Sequence, residues 1–255
     1  MIKNLTSGTA VFTQPSGPIK CAGAPQKIAY LAADYWRSQG VLEDIRVVMV
    51  LPTPGMFGVK VFSDELELVV ADYGIEVRFN SEMVEVDRSS RTAVIADNKE
   101  GSRESLHYDL LHAVPPQSAP DWLKRTPLAD PAGYVEVDNT TMQHVRYPEI
   151  FALGDAGSTP NSKTGAAIRK QAPVLVKNLL ATINGAIPAA RYSGYSSCPL
   201  TTARGKMLLA EFDYSLQPAP SLPFIDTTKE RRDMWLLKRY GLPFMYWNLI
   251  LKGRA

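Results

Sequence analysis

The run Ile45-Arg46-Val47-Val48-Met49-Val50-Leu51 holds six apolar residues around one arginine and is closed by Pro52, Pro54 and Gly55. A strand without polar alternation is buried on both faces, which is the condition of a parallel sheet covered on either side. Its neighbours fit that arrangement. Upstream, Thr9-Ala10-Val11-Phe12-Thr13-Gln14 reads as extended. A helix follows, with Pro25 in its first turn, Ile28, Leu31, Ala32, Tyr35 and Trp36 at helical spacing, and Gly40 past its end. Downstream, Ser63 is the expected cap of a second helix, with Leu66, Val69, Val70 and Tyr73 on its apolar face and Gly74 as its stop. Residues 75–79 read as a half-exposed strand. Residues 83–87 and 92–97 read as a hairpin turned at Arg88-Ser89-Ser90-Arg91, and residues 110–114 as another core strand. This order predicts an α/β, doubly wound domain with an antiparallel insertion.

Between the first strand and the first helix lies Ile19-Lys20-Cys21-Ala22-Gly23-Ala24-Pro25-Gln26-Lys27. A strand–turn–helix unit in such a domain usually carries a glycine-rich loop that admits a phosphate. Here the turn offers Gly23 and a thiol, which points to sulfur chemistry. A helix N-terminus favours a thiolate, and Lys20 and Lys27 are close in sequence.

The second informative stretch is Tyr147-Pro148-Glu149-Ile150-Phe151-Ala152-Leu153-Gly154-Asp155-Ala156. It is expected to form an apolar strand that ends on a glycine and a carboxylate able to accept from a ribose or polyol hydroxyl. Thr140 and Thr141 lie upstream. Ser162-Lys163-Thr164-Gly165-Ala166-Ala167 opens a long helix with Ile168, Ala172, Leu175, Leu179 and Ile183 as its buried face, a kink at Pro173 and a stop at Gly185. Lys163 is read either as a partner for negative charge at that helix start or as a solvated first-turn lysine.

The net charge of +2 hides an asymmetry: residues 228–255 carry seven basic and two acidic side chains, so this tail is +5 and the remainder −3. Its apolar residues, among them Trp235, Tyr240, Phe244, Tyr246 and Trp247, are flanked by Lys and Arg. Two short amphipathic helices broken at Gly241-Leu242-Pro243 and lying on an anionic surface would use this pattern, as would a terminal helix packed on the core. The first residues show no signal-peptide pattern and no run of eighteen apolar residues occurs, so no simple spanning helix is expected. Two cysteines in 255 residues do not make a secreted disulfide scaffold, and by composition alone they read as buried and inert.

Three stretches together change that reading: Cys21 to Lys27; Phe151-Ala152-Leu153-Gly154-Asp155 with Ser162-Lys163-Thr164; and Tyr195-Ser196-Ser197-Cys198-Pro199-Leu200 with Leu209-Ala210-Glu211-Phe212-Asp213-Tyr214. In these the chain resembles the sulfide:quinone oxidoreductases, in particular the type that includes the mitochondrial enzymes, within the flavoprotein disulfide reductase superfamily. The family's first Gly-x-Gly-x-x-Gly unit has no counterpart here, since Gly55-Met56-Phe57-Gly58 has the wrong spacing. The resemblance therefore implies a match to the family's C-terminal part. It implies a degenerate dinucleotide-type domain over 1–115, the C-terminal part of an FAD-binding domain over 116–190, and a segment 191–255 that ends in a membrane- and quinone-binding tail.

The resemblance also implies the chemistry. Cys21 and Cys198 would meet as a redox-active pair, with their sulfurs within bonding or one-sulfur-bridging distance. Hydrosulfide would attack the pair, leaving a persulfide on Cys198 and a thiolate on Cys21. Gly154, Asp155, Lys163 and Thr164 would bind FAD, and Phe244, Tyr246 and Trp247 would meet quinone and membrane. A small acceptor (glutathione, sulfite or coenzyme A) would take the sulfane sulfur, and quinone the electrons. Implied too are no metal, no nucleic-acid partner, room for a homo-oligomer, and a peripheral place on a bacterial plasma membrane or a mitochondrial inner membrane. Two other readings stand beside it. One is a non-catalytic membrane-binding module. The other is a flavoprotein like the type II NADH dehydrogenases, which would need a glycine-rich loop where Cys21 lies.

Overall fold

The computed structural model describes all residues but Pro18, Ala22 and Ala255, so Ala22 of the cysteine loop lies outside the described residues. The chain divides into two compact units. The first comprises Met1–Pro116, Pro199–Leu209 and Phe224–Lys238, and the second Gln117–Cys198, Ala210–Pro223 and Arg239–Ala255.

In the first unit, β1 (Gly8–Thr13) pairs in parallel with β2 (Ile45–Val50), and β2 pairs with β3 (Glu76–Arg78). A three-stranded antiparallel sheet follows from β4 (Ser81–Asp87), β5 (Thr92–Asp97) and β6 (Arg103–His107). The chain then returns as β7 (Leu110–His112) to the other side of β1, giving the parallel order β3-β2-β1-β7. Val11, Val48 and Val50 point toward the antiparallel sheet and pack with Ala93, Ile95 and Leu106. The opposite face carries α1 (Gly23–Ser38), which packs on β1 and β2 and against α2 (Lys60–Tyr73). The parallel core and hairpin are as expected. Strand β6 is additional, because Arg103-Glu104-Ser105-Leu106-His107 buries only Leu106 and so carries almost no alternation.

Both helices differ from expectation in detail. The buried stripe of α1 runs through Pro25, Gln26, Ala29, Tyr30, Ala33 and Trp36, while Ile28 and Leu31 sit at its rim. Small residues let the helix approach the sheet closely. Gln26 is tolerated inside because its Nε2 donates to Met56 O at 2.6 Å and its Oε1 accepts from Tyr30 OH at 2.9 Å. Ser63 does not cap α2, which begins at Lys60 after Val59 and ends at Gly74 in the left-handed region. The Ser63 hydroxyl instead accepts from the buried Met56 N–H at 3.0 Å and pins the preceding loop. Ser63→Ala should lose about 1–3 kcal/mol by stranding that donor. An unchanged urea midpoint would rule this out.

In the second unit, α3 (Asp121–Lys124) and a series of short extended segments enclose Ala119, Leu123, Tyr134, Val135, Val137 and Ala152. Residues 147–153 form no strand. Gln143–Phe151 is the bridge recorded in that stretch, and extended backbone without a continuous partner builds no ladder. The 3₁₀ turn Gly154–Ala156 leads to α4 (Gly165–Ile183). Its buried positions are Ala167, Gln171 and Asn178, whereas Ile168 and Ile183 are exposed. The polar pair is satisfied internally: Asn178 bonds Thr141 O at 2.9 Å and Ala190 O at 3.0 Å. Pro173 sits inside α4 without ending it.

The strands β8 (Ser196–Ala203) and β9 (Lys206–Phe212) form a hairpin whose Pro199–Leu209 segment belongs to the first unit. The tail has no break at Gly241. α5 (Arg232–Leu236) runs through a π turn, Leu237–Gly241, into α6 (Leu242–Asn248). Pro243 lacks an N–H and its ring crowds the carbonyl four residues back, and widening the preceding turn relieves both.

Candidate functional site

In the first unit, Cys21 sits in the left-handed region with φ +56°, and its carbonyl accepts from Ala24 N at 2.8 Å as the chain enters α1. That conformation is uncommon for a side-chain-bearing residue and marks a constrained turn. The thiol is partly exposed. Near it is a residue that sequence reasoning counted only as one of the tail's charges. Lys238, half-buried after α5, donates to Pro199 O at 3.1 Å and to Thr201 Oγ1 at 2.9 Å. Burial pushes its ammonium down to about 8; the charge of Lys27 adds to that fall, and Cys21 opposes it. Lys238, Lys27 and Cys21 thus share one electrostatic neighbourhood, and a positive charge there favours a thiolate. The one hint in the sequence was a lysine directly after Leu236-Leu237, a place where a solvated charge is unexpected.

The second unit brings together stretches far apart in sequence. Cys198, buried on β8, has its Sγ 4.0 Å from Ser162 Oγ, and Ser196 Oγ donates to Ser162 O at 3.1 Å. Ser162 leads into Lys163 and Thr164, and Thr164 caps α4 by accepting from Ala167 N at 3.2 Å. Lys163 is neither solvated nor in the first turn of α4. It is buried, its Nζ donates to Gly157 O at 2.5 Å, and it lies 4.6 Å from the Tyr134 ring centre.

Gly154 is left-handed at φ +62°, and a Cβ there would press on Ile168 at 3.0 Å. Its N–H donates to Gln171 Oε1 at 2.8 Å, which fixes the turn that presents Asp155 to solvent. Burial raises the Tyr134 phenol, with the charges of Asp130 and Asp155 adding, and its buried OH has no hydrogen-bond partner. An exposed carboxylate after a side-chain-free turn, a buried cation and an orphaned hydroxyl fit a polar, ring-bearing cofactor such as a flavin. In the tail, Phe244, Tyr246 and Trp247 are exposed, with Tyr246 and Trp247 in edge contact at 5.2 Å. Among the described residues no helix is long and apolar enough to cross a membrane.

No family model matches the chain. Among curated proteins it is 40% identical over 253 residues to the mitochondrial sulfide:quinone oxidoreductase of Mus musculus, and 43% identical over 258 residues to that of Schizosaccharomyces pombe. Each match covers 99% of this chain and 56% of the relative, so the chain spans about half the length of the curated relatives it matches. Among solved structures, a chain of the Tetrahymena thermophila mitochondrial ATP synthase aligns with a TM-score of 0.79 at 21% identity, covering 99% of this chain and 60% of that one. The sulfide:quinone oxidoreductase of Aquifex aeolicus aligns with a TM-score of 0.74 at 15% identity, covering 96% of this chain and 58% of that one. At such identities the structural likeness speaks for the α/β fold.

Proposed function

From this kinship with the sulfide:quinone oxidoreductases over the part they share, we infer that the chain carries the sulfur-handling half of a sulfide:quinone oxidoreductase. The observation that supports it most is that each of the two cysteines adjoins the approach to a helix: Cys21 stands before α1, and Cys198 lies against Ser162 before α4. Helix N-termini favour thiolates as nucleophiles and leaving groups.

In this reading Cys21 and Cys198 form a disulfide, and hydrosulfide attacks the Cys198 sulfur. The S–S bond breaks, a new S–S bond leaves a persulfide on Cys198, and Cys21 departs as a thiolate holding the electron pair. Lys238 and Lys27 stabilise that thiolate, which makes Cys21 the better leaving group. A small nucleophile, a low-molecular-weight thiol or sulfite, then takes the outer sulfur. Gly154, Asp155, Lys163 and Thr164 would hold FAD, with Asp155 accepting from a polyol hydroxyl and buried Lys163 facing negative charge. When bound, FAD would supply the two-electron oxidant needed to return the Cys21 and Cys198 thiols to the disulfide, with quinone as the electron acceptor. Phe244, Tyr246 and Trp247, beside the basic residues of the tail, suit a peripheral seat on an anionic membrane; its mitochondrial relatives make the mitochondrial inner membrane our assignment.

The test uses the full chain, oxidised and then treated anaerobically with sulfide and an alkylating agent. Mass spectrometry should find an added sulfur on Cys198 and direct alkylation on Cys21. An added sulfur on Cys21 instead, or no sulfur on either, would overturn the assignment.

A further inference from the structure

Two features of the second unit lack the element that would complete them. The first is the stretch that leads into Gly154. In the antiparallel bridge Gln143–Phe151 the bonds are made by flanking residues: His144 N donates to Ile150 O at 2.8 Å, and Ala152 N to Met142 O at 3.1 Å. The N–H and C=O of Phe151 therefore point away from Gln143, and by alternation so does the N–H of Leu153. Among the described residues these three groups have no hydrogen-bond partner. They make a short open edge, the feature to which a further strand adds. The second feature is α4. Its buried side carries Ala167, Gln171 and Asn178, so the helix turns two amides inward. Its aliphatic residues lie elsewhere. Val176, Leu180 and Ile183 are 51%, 53% and 69% exposed and follow one another at i, i+4 and i+7. Exposed Ile168 and half-buried Ala172 and Leu179 extend the same stripe toward the start of the helix. The two features meet at Gly154, directly after the edge, where a Cβ would press on Ile168 at 3.0 Å.

The chemistry of the two surfaces narrows the occupant. An open main-chain edge calls for extended backbone, and a stripe of Ile, Val and Leu calls for an aliphatic face. A β-sheet offers both at once. A membrane does not, because lipid tails cannot pair with main-chain N–H and C=O groups. Nor does α4 have an aromatic residue, whereas helices seated in a membrane interface anchor with Trp or Phe. The match to each curated relative takes in 99% of this chain and 56% of the relative, so nearly half of the family's chain lies outside it. We propose that the Phe151–Leu153 edge and the outer face of α4 together seat an aliphatic β-sheet belonging to that remainder, one strand adding to the edge and the sheet's face lying on the stripe. This rests on the kinship with the family and not on the sulfur chemistry inferred above.

The full chain is co-expressed with the part of the Schizosaccharomyces pombe relative that lies outside the match, and the product is compared with the full chain alone by light scattering and amide exchange. A complex of one copy of each should form, and in it the Phe151 and Leu153 amides should exchange about tenfold more slowly or better. Leu180→Lys together with Ile183→Lys should weaken the complex by about a hundredfold. Both side chains are exposed, so the chain alone should melt as before. Lys177→Glu, on the polar flank of α4, should leave the complex in place. Absence of a complex, a complex indifferent to the double lysine variant, or one whose two amides exchange as before would each overturn the proposal. So would self-association of the chain alone that the same variant disperses, because a second copy would then be the occupant. A chain that forms no persulfide yet keeps this complex would sink the proposed function and spare the seat.

Discussion

Lys238→Met is expected to make the first unit more stable at pH 7 and at the same time to slow alkylation of Cys21 about tenfold, the cost of a thiolate losing one nearby positive charge. The stability half follows from linkage. The Lys238 ammonium falls from its ordinary 10.5 to about 8 in the fold, burial being the main cause. Below pH 8 both folded and unfolded chains carry the proton, and the folded chain bears the full penalty of a half-buried charge. Between pH 8 and 10.5 the unfolded chain binds more protons than the folded one, so wild-type stability rises with pH across that window. The advantage of the Met variant should therefore be largest below pH 8 and shrink toward pH 10.5. Partial solvent exposure reduces its size, and loss of the bonds to Pro199 O and Thr201 Oγ1 subtracts from it. Urea midpoints across this range, with iodoacetamide rates at Cys21, check both halves. A Met variant whose advantage grew with pH, or whose Cys21 reacted as fast as before, would contradict the account.

The second large effect is purely steric. Gly194→Ala should destabilise the second unit by about 3 kcal/mol, combining a left-handed backbone penalty of about 1–2 with overpacking of about 1–3. Gly194 has φ +87°, and a Cβ there would overlap the ring carbons of Tyr214. That ring cannot swing aside cheaply. Its hydroxyl donates to Asn139 O at 2.9 Å, and Tyr192 packs edge-on against it at 5.8 Å. In a chain of this size the loss corresponds to a fall in Tm of about 6–12 °C. Adding Tyr214→Ala should recover the steric share and leave the backbone share. A single variant that melts like the wild type would show that the ring relocates freely.

Local features were the readable ones. The buried strand declared itself because six apolar residues in a run of seven needed cover on both faces. Gly74 ended α2 because a left-handed cap favours glycine. The stretches around Cys21, Gly154–Asp155, Lys163–Thr164 and Cys198 stood out by composition and by their joint resemblance to one family. What stayed hidden depends on partners distant in sequence. Gln26 is inside only because Met56 O and Tyr30 OH reach it, and Ser63 moved from cap to loop anchor because Met56 N needed an acceptor. Lys238 shares the surroundings of Cys21 although more than two hundred positions separate them. Residues 147–153 have strand-forming side chains, but a strand is a property of pairs, and the pairing is a single bridge.

The π turn at Leu237–Gly241 holds one residue more than the α turn it replaces. One residue corresponds to about 100° of rotation about a helix axis, so the surplus residue breaks the 3.6-residue period within the turn itself. Deleting one residue from the turn would restore that period, whereas a substitution that keeps the residue count would leave the turn its length.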